Sequence, residues 1–358
     1  MVNLTFNELK EYKNEYGYIN LDDIINDETE FEREVRGNPE RDKKWFNTSD
    51  GKVMFKANSG FNMYAQYSEL ICCELAKQVG LEAAEYDLAI HNVQLGVITK
   101  NFCKPGEEVL TINELIGEEQ NGGRALDNID IDFVFTALIQ KLYDDGYDEK
   151  TADECILQLR KQMIFDIFVI ETDRHTENLS FIIGKDEITG NPTIRLAPMY
   201  DTETALVLDD INLMDEYGDD WIARRNAQTR EPKICVIPYS NEELAEQSGW
   251  SLEFVQQLQS RVSQSESSRS ESMLRDTLEF LVEDPRAQEF AEKIANKLNI
   301  SKAIQTVEKT LQCPVPEEVV RAAVPSFEAR RNLIADELWI ELESGKNQET
   351  RKGVDIIE

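Results

Sequence analysis

The stretch ETDRHTENLSFIIG, residues 171–184, crowds acidic, basic and amide side chains immediately before an apolar strand. It contains Asp173, Asn178 and His175, and the whole chain has only two histidines. Burying such groups without hydrogen-bonding partners is costly, so they are expected at the rim of a core and not inside it. The polar side chains of this stretch are therefore candidates for a functional site.

A second apolar strand, TIRLAPMYD (193–201), follows the first after a run of turn-forming residues. An antiparallel hairpin with its turn centred between Thr189 and Gly190 brings Asn178 opposite Asp201. The open end of the hairpin then lies beside the loop that enters the first strand. We therefore predict that an amide and a carboxylate from the two strands converge with a carboxylate from that loop.

These three side chains match the needs of phosphoryl transfer. The oxygens of Asn178 and Asp201 are hard ligands that suit Mg²⁺, which takes the rest of its shell from water and phosphates. The remaining carboxylate, Asp173, is then available to orient a hydroxyl nucleophile or accept its proton. The spacing alone is also compatible with Asp173 and Asn178 capping a helix end and a turn, with Asp201 exposed.

The composition limits the class of protein. A length of 358 residues corresponds to about two domains, and 41% hydrophobic with 30% charged residues is typical of soluble globular proteins. No apolar run reaches the roughly 18 residues of a membrane span, and the N-terminus has no signal-peptide core. Six scattered cysteines without a CxxC pair indicate free thiols in a reducing cytoplasm. The net charge of −32 argues against a nucleic-acid-binding protein.

The first third of the chain mixes strand and helix signals. WFNTSDGKVMFKA (45–57) predicts two short strands around an Asp-Gly turn, and DLAIHNVQLGVITKNF (87–102) predicts a second pair. Between them, AQYSELICCELAKQVGL (65–81) predicts a helix that ends near Gly80. The polar, Gly-Gly-containing segment 118–130 predicts a hinge or linker.

The rest of the chain is mainly helical apart from the hairpin. Residues 132–146 and 153–170 carry helical periodicity. A Ser-rich break, 263–272, predicts a mobile loop among later helices. The later helices are predicted over 241–263, 270–283, 285–299 and 316–344.

The ordered motifs resemble a known family. Asp-Arg-His-Thr-Glu-Asn, followed by the hairpin and Met-Tyr-Asp, resembles the catalytic loop and metal-binding aspartate of the HipA-like serine/threonine kinases. Upstream, GKVMFKA (51–57) and the helix 67–81 are similar to the lysine-bearing strand and glutamate helix of that family. The resemblance covers residues 35–205. The Asp-Arg-His spelling is shared with phosphatidylinositol kinases, so a lipid substrate remains open.

The resemblance implies an α+β, two-lobed protein-kinase-like fold. A smaller mixed N-lobe is expected over residues 1–117 and a larger, mainly helical C-lobe over 118–358. ATP and Mg²⁺ would bind between the two lobes. The segment 207–240 occupies the position of an activation or substrate-binding segment.

The resemblance also implies roles for residues of the N-lobe. Lys56 would steady the phosphates of ATP, and Glu69 would fix the position of the lysine, with Glu74 as the alternative partner. The loop RGNPERDKK (36–44), which contains Gly37 and Lys43, resembles the phosphate-covering loop of the family but has no GxGxxG pattern.

Further implied roles lie nearer the hinge and in the catalytic loop. Asn113 and Glu114, in LTINELIG (110–117), resemble the segment that runs toward the adenine-binding hinge. Asp173 would be the catalytic base. His175 is also placed in the catalytic set, where it is expected to brace the loop by hydrogen bonds.

The implied activity is transfer of the γ-phosphoryl group of ATP to Ser or Thr of a protein. The acceptor includes the chain itself, with Ser59 and the serines of 263–272 as candidates. An antitoxin-type partner is implied by the family alone, and direct nucleic-acid binding is not expected. The alternatives are a phosphatidylinositol-type lipid kinase and a non-catalytic nucleotide-binding partner in a toxin–antitoxin-like complex.

Overall fold

A computed structural model of the protein has a mixed α+β architecture, which confirms the predicted fold class at that level. Within the part of the chain that the structure describes, two β-sheets are combined with nine α-helices. The described residues are 2–25, 32–33, 43–58, 63–116, 131–171, 173–174, 176, 178–210, 273–340 and 342.

The first sheet has six strands. They are β1 (Ile19–Asn20), β2 (Glu32–Arg33), β3 (Lys43–Thr48), β4 (Gly51–Ala57), β5 (Tyr86–His91) and β6 (Gln94–Lys100). Their order in the sheet is β1–β5–β6–β4–β3–β2. All neighbours are antiparallel except the parallel pair β1–β5. The two predicted strand pairs, β3–β4 and β5–β6, are confirmed.

Strand β4 carries Lys56 from the core to the edge of the site. Val53 and Phe55 of this strand are fully buried in the apolar cluster of the first sheet. Because side chains alternate between the two faces of a strand, Lys56 points to the face opposite these two residues. Lys56 pairs with Val97 of β6 on one side and with Lys43 of β3 on the other.

Helix α2 (Ala65–Val79) packs between the first sheet and the helical part of the molecule. It ends at Gly80, which adopts a left-handed conformation with φ of 74°, as the sequence predicted. Nearly every side chain of the helix is buried, including the polar residues Ser68 and Glu69. A buried helix with polar residues on one face indicates that this face meets polar partners and not solvent.

The second sheet contains three antiparallel strands, β7 (Glu108–Thr111), β8 (Ser180–Lys185) and β9 (Pro192–Leu196). Strand β7 lies in the part of the chain that we assigned to the N-lobe, yet it pairs with the hairpin β8–β9. The domain boundary after residue 117 falls at an undescribed segment and stays a prediction.

The register of the hairpin β8–β9 differs from the predicted one by two residues. Phe181 pairs with Leu196, so the pairing of Asn178 with Asp201 expected from the turn position is wrong. The cause is Asp186, whose Oδ1 accepts hydrogen bonds from the backbone N–H and the hydroxyl of Thr189. The aspartate thereby draws the turn toward the first strand.

The helices of the second half mostly agree with the sequence pattern. The helices expected over 132–146, 153–170, 270–283, 285–299 and 316–344 are confirmed, but their ends differ from the predicted ones by up to seven residues. The remaining helices, in chain order, are α1 (Phe6–Leu9), α3 (Ile112–Ile116), α4 (Ile131–Asp144), α5 (Glu149–Phe168), α6 (Met273–Leu281), α7 (Pro285–Lys297), α8 (Ile300–Leu311) and α9 (Glu317–Glu337).

Helix α8 was missed, although its buried residues Ile300, Ile304, Val307 and Leu311 follow helical spacing. The predicted helix over 241–263, the linker 118–130 and the Ser-rich loop 263–272 lie outside the described residues.

Five of the six cysteines are described, and all five are free thiols. Among the described residues, no helix combines the length and the apolar character that a membrane span requires.

Gly96 controls how closely β6 approaches the strand that carries Lys56. A Cβ atom at this position would lie 2.1 Å from the carbonyl oxygen of Lys56. We expect Gly96→Ala to lower the free energy of unfolding by about 1–3 kcal/mol, because the clash is with backbone and forces the two strands apart. Urea denaturation checks the result.

The matched control for this change is Gly184→Ala in β8. The nearest atoms to its added Cβ are side-chain atoms of Glu107 and Thr193 at 3.2 and 3.3 Å, which can move. An equal loss of stability in both variants would contradict a specific close approach at Gly96.

Candidate active site

The ammonium of Lys56 lies at the centre of a buried cluster of carboxylates. Its Nζ is 2.8 Å from Oε1 of Glu69, 2.6 Å from Oδ1 of Asp201 and 3.1 Å from Oε2 of Glu203. The side chains of Lys56, Glu69 and Glu203 are at most 5% exposed. Strand β4, helix α2 and the segment after β9 thus meet at one cation.

The charge of Lys56 is maintained by these neighbours. Burial alone would lower the pKa of the lysine, since a charged group is disfavoured in a low-dielectric environment. The carboxylates of Asp201, Glu69 and Glu203 outweigh burial and raise the pKa of Lys56 well above its ordinary value. The lysine therefore stays protonated throughout the physiological pH range.

Glu69 also holds the chain segment that follows Asp201. Its second oxygen, Oε2, accepts hydrogen bonds of 2.9 Å from both the backbone N–H and the hydroxyl of Thr202. The neighbouring Ser68 donates from its hydroxyl to the carbonyl oxygens of Thr202 and Ala205. Two consecutive residues of α2 thus fix the segment 202–205. Glu74, the alternative partner for the lysine, instead binds Lys77 on the same helix.

Asp201 adopts a left-handed backbone conformation with φ of 59°. Its N–H donates to the hydroxyl of Tyr86 at 3.3 Å, which supports this uncommon conformation. Its carboxylate faces two cations, because Oδ1 contacts Lys56 and Oδ2 lies 3.8 Å from Nζ of Lys43. The backbone thus directs this carboxylate toward positive charge.

Arg174 joins the catalytic-loop motif to the end of the hairpin. The arginine is fully buried and forms a bidentate ion pair with Asp166 of α5, with two N–O distances of 2.9 Å. Its Nη1 also donates to the carbonyl oxygens of Asn178 and Tyr200, at 3.2 and 2.8 Å. The buried acidic partner of Arg174 is therefore Asp166. The guanidinium therefore connects the catalytic-loop motif to Tyr200, the residue before Asp201. This connection takes the place of the strand pairing between Asn178 and Asp201 that the sequence predicted.

The side chain of Asp173 is exposed, while its backbone N–H and carbonyl oxygen are both hydrogen-bonded. Its N–H donates to Oε1 of Glu171 at 2.7 Å. Its carbonyl oxygen accepts a hydrogen bond of 2.7 Å from Nδ2 of Asn178. The carboxylate is thus presented to solvent from a fixed loop, and the amide of Asn178 closes that loop.

Glu171 is a buried carboxyl group that the sequence analysis did not single out. Besides the backbone of Asp173, its Oε1 accepts a hydrogen bond from the hydroxyl of Thr204. Its other oxygen, Oε2, has no hydrogen-bond partner among the described residues. Burial raises the pKa of Glu171 to about 8, even though the charge of Arg174 opposes this shift.

The structure says less about the remaining candidate residues of the sequence analysis. Gly37 and His175 lie outside the described residues. Asn113 lies in α3, and its side chain is not described. Glu114 of the same helix accepts a hydrogen bond of 2.8 Å from the N–H of Thr111, and its own N–H donates to the Thr111 hydroxyl at 3.1 Å. This is a capping box that stabilises the start of α3. A role of Asn113 and Glu114 in nucleotide binding stays a prediction.

The donor set around Asn178 and Asp201 fits a magnesium ion. An amide and a carboxylate supply hard oxygens, and Mg²⁺ takes only one or two protein ligands when phosphates complete its shell. Among the described residues, no group of three or more His, Cys, Asp or Glu side chains is arranged to hold a metal. The oxygen donors of Asn178 and Asp201 are thus compatible with a Mg²⁺ ion that also binds phosphates.

Sequence reasoning missed Glu203 and Glu171, although both flank the motifs it used. Glu203 follows Asp201 by two residues, and Glu171 precedes Asp173 by two. Glu171 follows the apolar residues 168–170, and Glu203 lies between two threonines. Neither pattern distinguishes a buried carboxylate from an exposed one.

Known proteins resemble this chain at the levels of family and structure. The family model of the HipA-like C-terminal domain matches residues 34–265, a range that includes Lys56, Asp173 and Asp201. The proinflammatory kinase CtkA of Helicobacter pylori is similar in structure, with a TM-score of 0.44 and 14% identity over 85% of this chain and 96% of that chain.

A second similar structure is HipA of Shewanella oneidensis MR-1, from a toxin–antitoxin complex with HipB and its operator DNA. Its TM-score is 0.41, with 14% identity over 90% of this chain and 72% of that chain. No curated protein matches the sequence.

Burial of Glu171 predicts a specific pH dependence of stability. The folded-state pKa of about 8 lies above the ordinary value of 4.5, so the folded protein binds a proton that the unfolded chain releases between these two values. The contribution of Glu171 to stability is therefore fully present below about pH 4.5 and is lost as the pH rises to about 8. Glu171→Gln removes this term and keeps the acceptor oxygen.

We expect the free energy of unfolding of Glu171→Gln, relative to the unmodified protein, to rise across this window and then level off. Urea denaturation at several pH values measures the difference, with the exposed Glu187→Gln as control. The groups that face Glu171 are Arg174 and Asp166, together with Cys72 of α2. Parallel pH profiles for Glu171→Gln and the unmodified protein would exclude this assignment.

Proposed function

Because the chain belongs to the family of HipA-like C-terminal domains, we propose that it is a kinase that uses Mg²⁺ and ATP to phosphorylate Ser or Thr of a protein. The observation that carries the proposal is the meeting of Lys56 with Glu69 and Asp201 within 2.8 Å. A phosphoryl-transfer site requires such a lysine held by a glutamate beside a metal-binding aspartate. The small pocket at this cluster is lined by Lys56, Glu69 and Glu203, together with Ala57, Asn58 and Val97.

In this proposal Lys56 binds the phosphates of ATP and Glu69 keeps it in position. The lysine is fully protonated and buried, so its charge acts in a low-dielectric environment where electrostatic interactions are strong. Glu69 contacts Lys56 with one oxygen and Thr202 with the other, which restricts the lysine to one position. A fixed cation needs no reorganisation when charge develops on the transferred group.

Asn178 and Asp201 would hold the magnesium ion, which supplies neutralisation of phosphate charge when it is bound. The backbone of Asp201 is fixed by Tyr86, and that of Asn178 by Arg174. Both ligands thus come from positions that other residues determine. Lys43, 3.8 Å from Asp201, adds a second positive charge on the phosphate side.

Asp173 would be the general base of the reaction. Its exposed carboxylate is available to a substrate hydroxyl, while its backbone N–H and carbonyl are both hydrogen-bonded. The hydroxyl oxygen forms a bond to the γ-phosphorus as the bond from that phosphorus to the leaving oxygen of ADP breaks. The hydroxyl proton passes to Asp173. A base on a fixed loop restricts the direction from which the hydroxyl approaches.

The wider expectations remain part of the same proposal. In this proposal the six-stranded sheet with α2 would form the smaller lobe of a kinase-like fold, and the helices from α4 onward would form the larger lobe. Possible acceptors include this chain itself, through Ser59 or the serines of 263–272. A cytoplasmic location and an antitoxin-type partner stay predictions.

The activity can be tested by incubating the purified protein with γ-labelled ATP, Mg²⁺ and a proteome extract. Label on Ser or Thr of proteins, identified by mass spectrometry, would support the proposal. Label found only in phosphoinositides would replace it with lipid phosphorylation. The absence of any label, together with stabilisation by Mg-ATP, would indicate a non-catalytic nucleotide-binding protein.

The two aspartates are expected to respond differently to substitution. Asp201→Asn should weaken metal binding, so Mg-ATP should raise the melting temperature much less than in the unmodified protein. Asp173→Asn should keep this stabilisation, because ligand binding stabilises the folded state whether or not chemistry follows. Both variants should lose phosphoryl transfer by at least about 10²-fold.

A thermal-shift titration with Mg-ATP beside the radiolabel assay measures both effects. Asp336→Asn, on the exposed side of α9, is the control for loss of an aspartate charge outside the cluster. Loss of nucleotide stabilisation in Asp173→Asn alone would reverse the roles of the two aspartates. Normal transfer by both variants would move the reaction to another site.

A further inference from the structure

Glu171 and Glu69, which come from different elements, bind the same short segment. Glu69, on α2, binds the N–H and hydroxyl of Thr202. Glu171, just after α5, binds the hydroxyl of Thr204. The two glutamates come from different elements, and the residues that they bind are separated by one position in the chain. Both glutamates therefore bind segment 202–204, which we call the supporting segment.

The second contact of each glutamate leads to a different part of the proposed reaction centre. Oε1 of Glu69 contacts the ammonium of Lys56 at 2.8 Å. Oε1 of Glu171 accepts the backbone N–H of Asp173 at 2.7 Å. Hydrogen bonds and one short piece of chain thus connect the phosphate-binding lysine to the backbone of the base.

The supporting segment has little freedom to move. The hydroxyl of Ser68 contacts the carbonyl oxygens of Thr202 and Ala205, and the N–H of Ala205 donates to the carbonyl of Thr202. The N–H of Leu206 donates to the carbonyl of Val169, at the end of α5. A displacement of the supporting segment where it contacts α2 would therefore also shift the loop that follows α5.

We propose that Glu171 is a positioning residue that couples the Lys56–Glu69 pair to the backbone of Asp173 through Thr204 and Thr202. This inference rests on the proposed kinase function, in which Lys56 binds the phosphates of ATP and Asp173 accepts the proton of the attacking hydroxyl. Glu171 touches neither nucleotide nor acceptor in this proposal. It sets the direction in which the carboxylate of Asp173 leaves the loop.

The environment of Glu171 indicates that it acts through one acceptor oxygen and not through its charge. Oε1 accepts the hydrogen bonds of Asp173 and Thr204, while Oε2 is buried and has no partner in the described part of the chain. Burial also raises the pKa of this carboxyl group, which favours a proton on Oε2. A neutral group with the same acceptor oxygen should therefore replace Glu171.

This distinction selects the variants for a test. Glu171→Gln keeps an acceptor oxygen at the same position, and Glu171→Met has similar volume but no acceptor. Thr204→Ser keeps the hydroxyl that reaches Glu171, and Thr204→Val removes it with little change of shape. Glu187→Met, at an exposed hairpin turn, is the control for loss of a glutamate elsewhere.

With labelled phosphate as readout, Glu171→Met and Thr204→Val should lower kcat on the order of 10- to 100-fold, as expected for a misplaced catalytic group. KM for ATP should change little, because Lys56, Glu69 and Asp201 keep their contacts with one another. Glu171→Gln and Thr204→Ser should keep nearly full kcat. The proposal is overturned if Glu171→Met retains full kcat, or if Glu171→Gln loses as much as Glu171→Met.

A second measurement does not depend on transfer. Hydrogen exchange of the Asp173 backbone amide should be faster in Glu171→Met than in the unmodified protein or in Glu171→Gln, because the acceptor is gone. Unchanged exchange in Glu171→Met would overturn the positioning role by itself. If the unmodified protein transfers no phosphate while exchange responds as expected, the proposed function fails and the structural role of Glu171 stands. If Glu171→Met does not fold, the Thr204 pair supplies both readouts.

Discussion

A buried ammonium surrounded by three carboxylates is the contact on which the rest of the site depends. Removing a charged lysine from water is unfavourable unless opposite charges surround it. Lys56 reaches Glu69, Asp201 and Glu203 within 3.1 Å, so each partner has a defined position relative to β4. Helix α2 and the segment after β9 must therefore pack against the first sheet in one arrangement.

Arg174 performs a corresponding task on the other side of the site. Its ion pair with Asp166 is fully buried, and its remaining donors bind backbone carbonyls of Asn178 and Tyr200. Removing one member of such a pair would leave an uncompensated buried charge, which costs about 3–5 kcal/mol. The loop and the hairpin are thus joined by a guanidinium whose planar geometry allows several directed contacts at once.

The sequence contains the local elements of this site but not its tertiary contacts. Strand β4 and helix α2 could be predicted, because alternation, helical periodicity and the stop at Gly80 are properties of neighbouring residues. The contact between Lys56 and Asp201 joins residues 145 positions apart. The family resemblance implied an ATP-binding role for Lys56 and a metal-binding role for Asp201, but it did not predict the contact between them. Glu203 and Glu171 could not be recognised, because burial of a carboxyl group depends on which segments pack around it. The hairpin register was wrong because the contribution of Asp186 to the turn was overlooked.

The charge balance of the cluster limits how a nucleotide can bind under the proposed function. Among the described residues, Lys56 and Lys43 provide positive charge beside the carboxylates of Glu69, Asp201 and Glu203. Burial strengthens the interactions among these charges, so the carboxylate of Asp201 opposes the approach of a phosphate to the two lysines. The phosphates of ATP are therefore expected to enter favourably only with a cation that neutralises Asp201. A dependence of nucleotide affinity on Mg²⁺ then follows from the protein charges themselves and from the position of Asp201 between the two lysines.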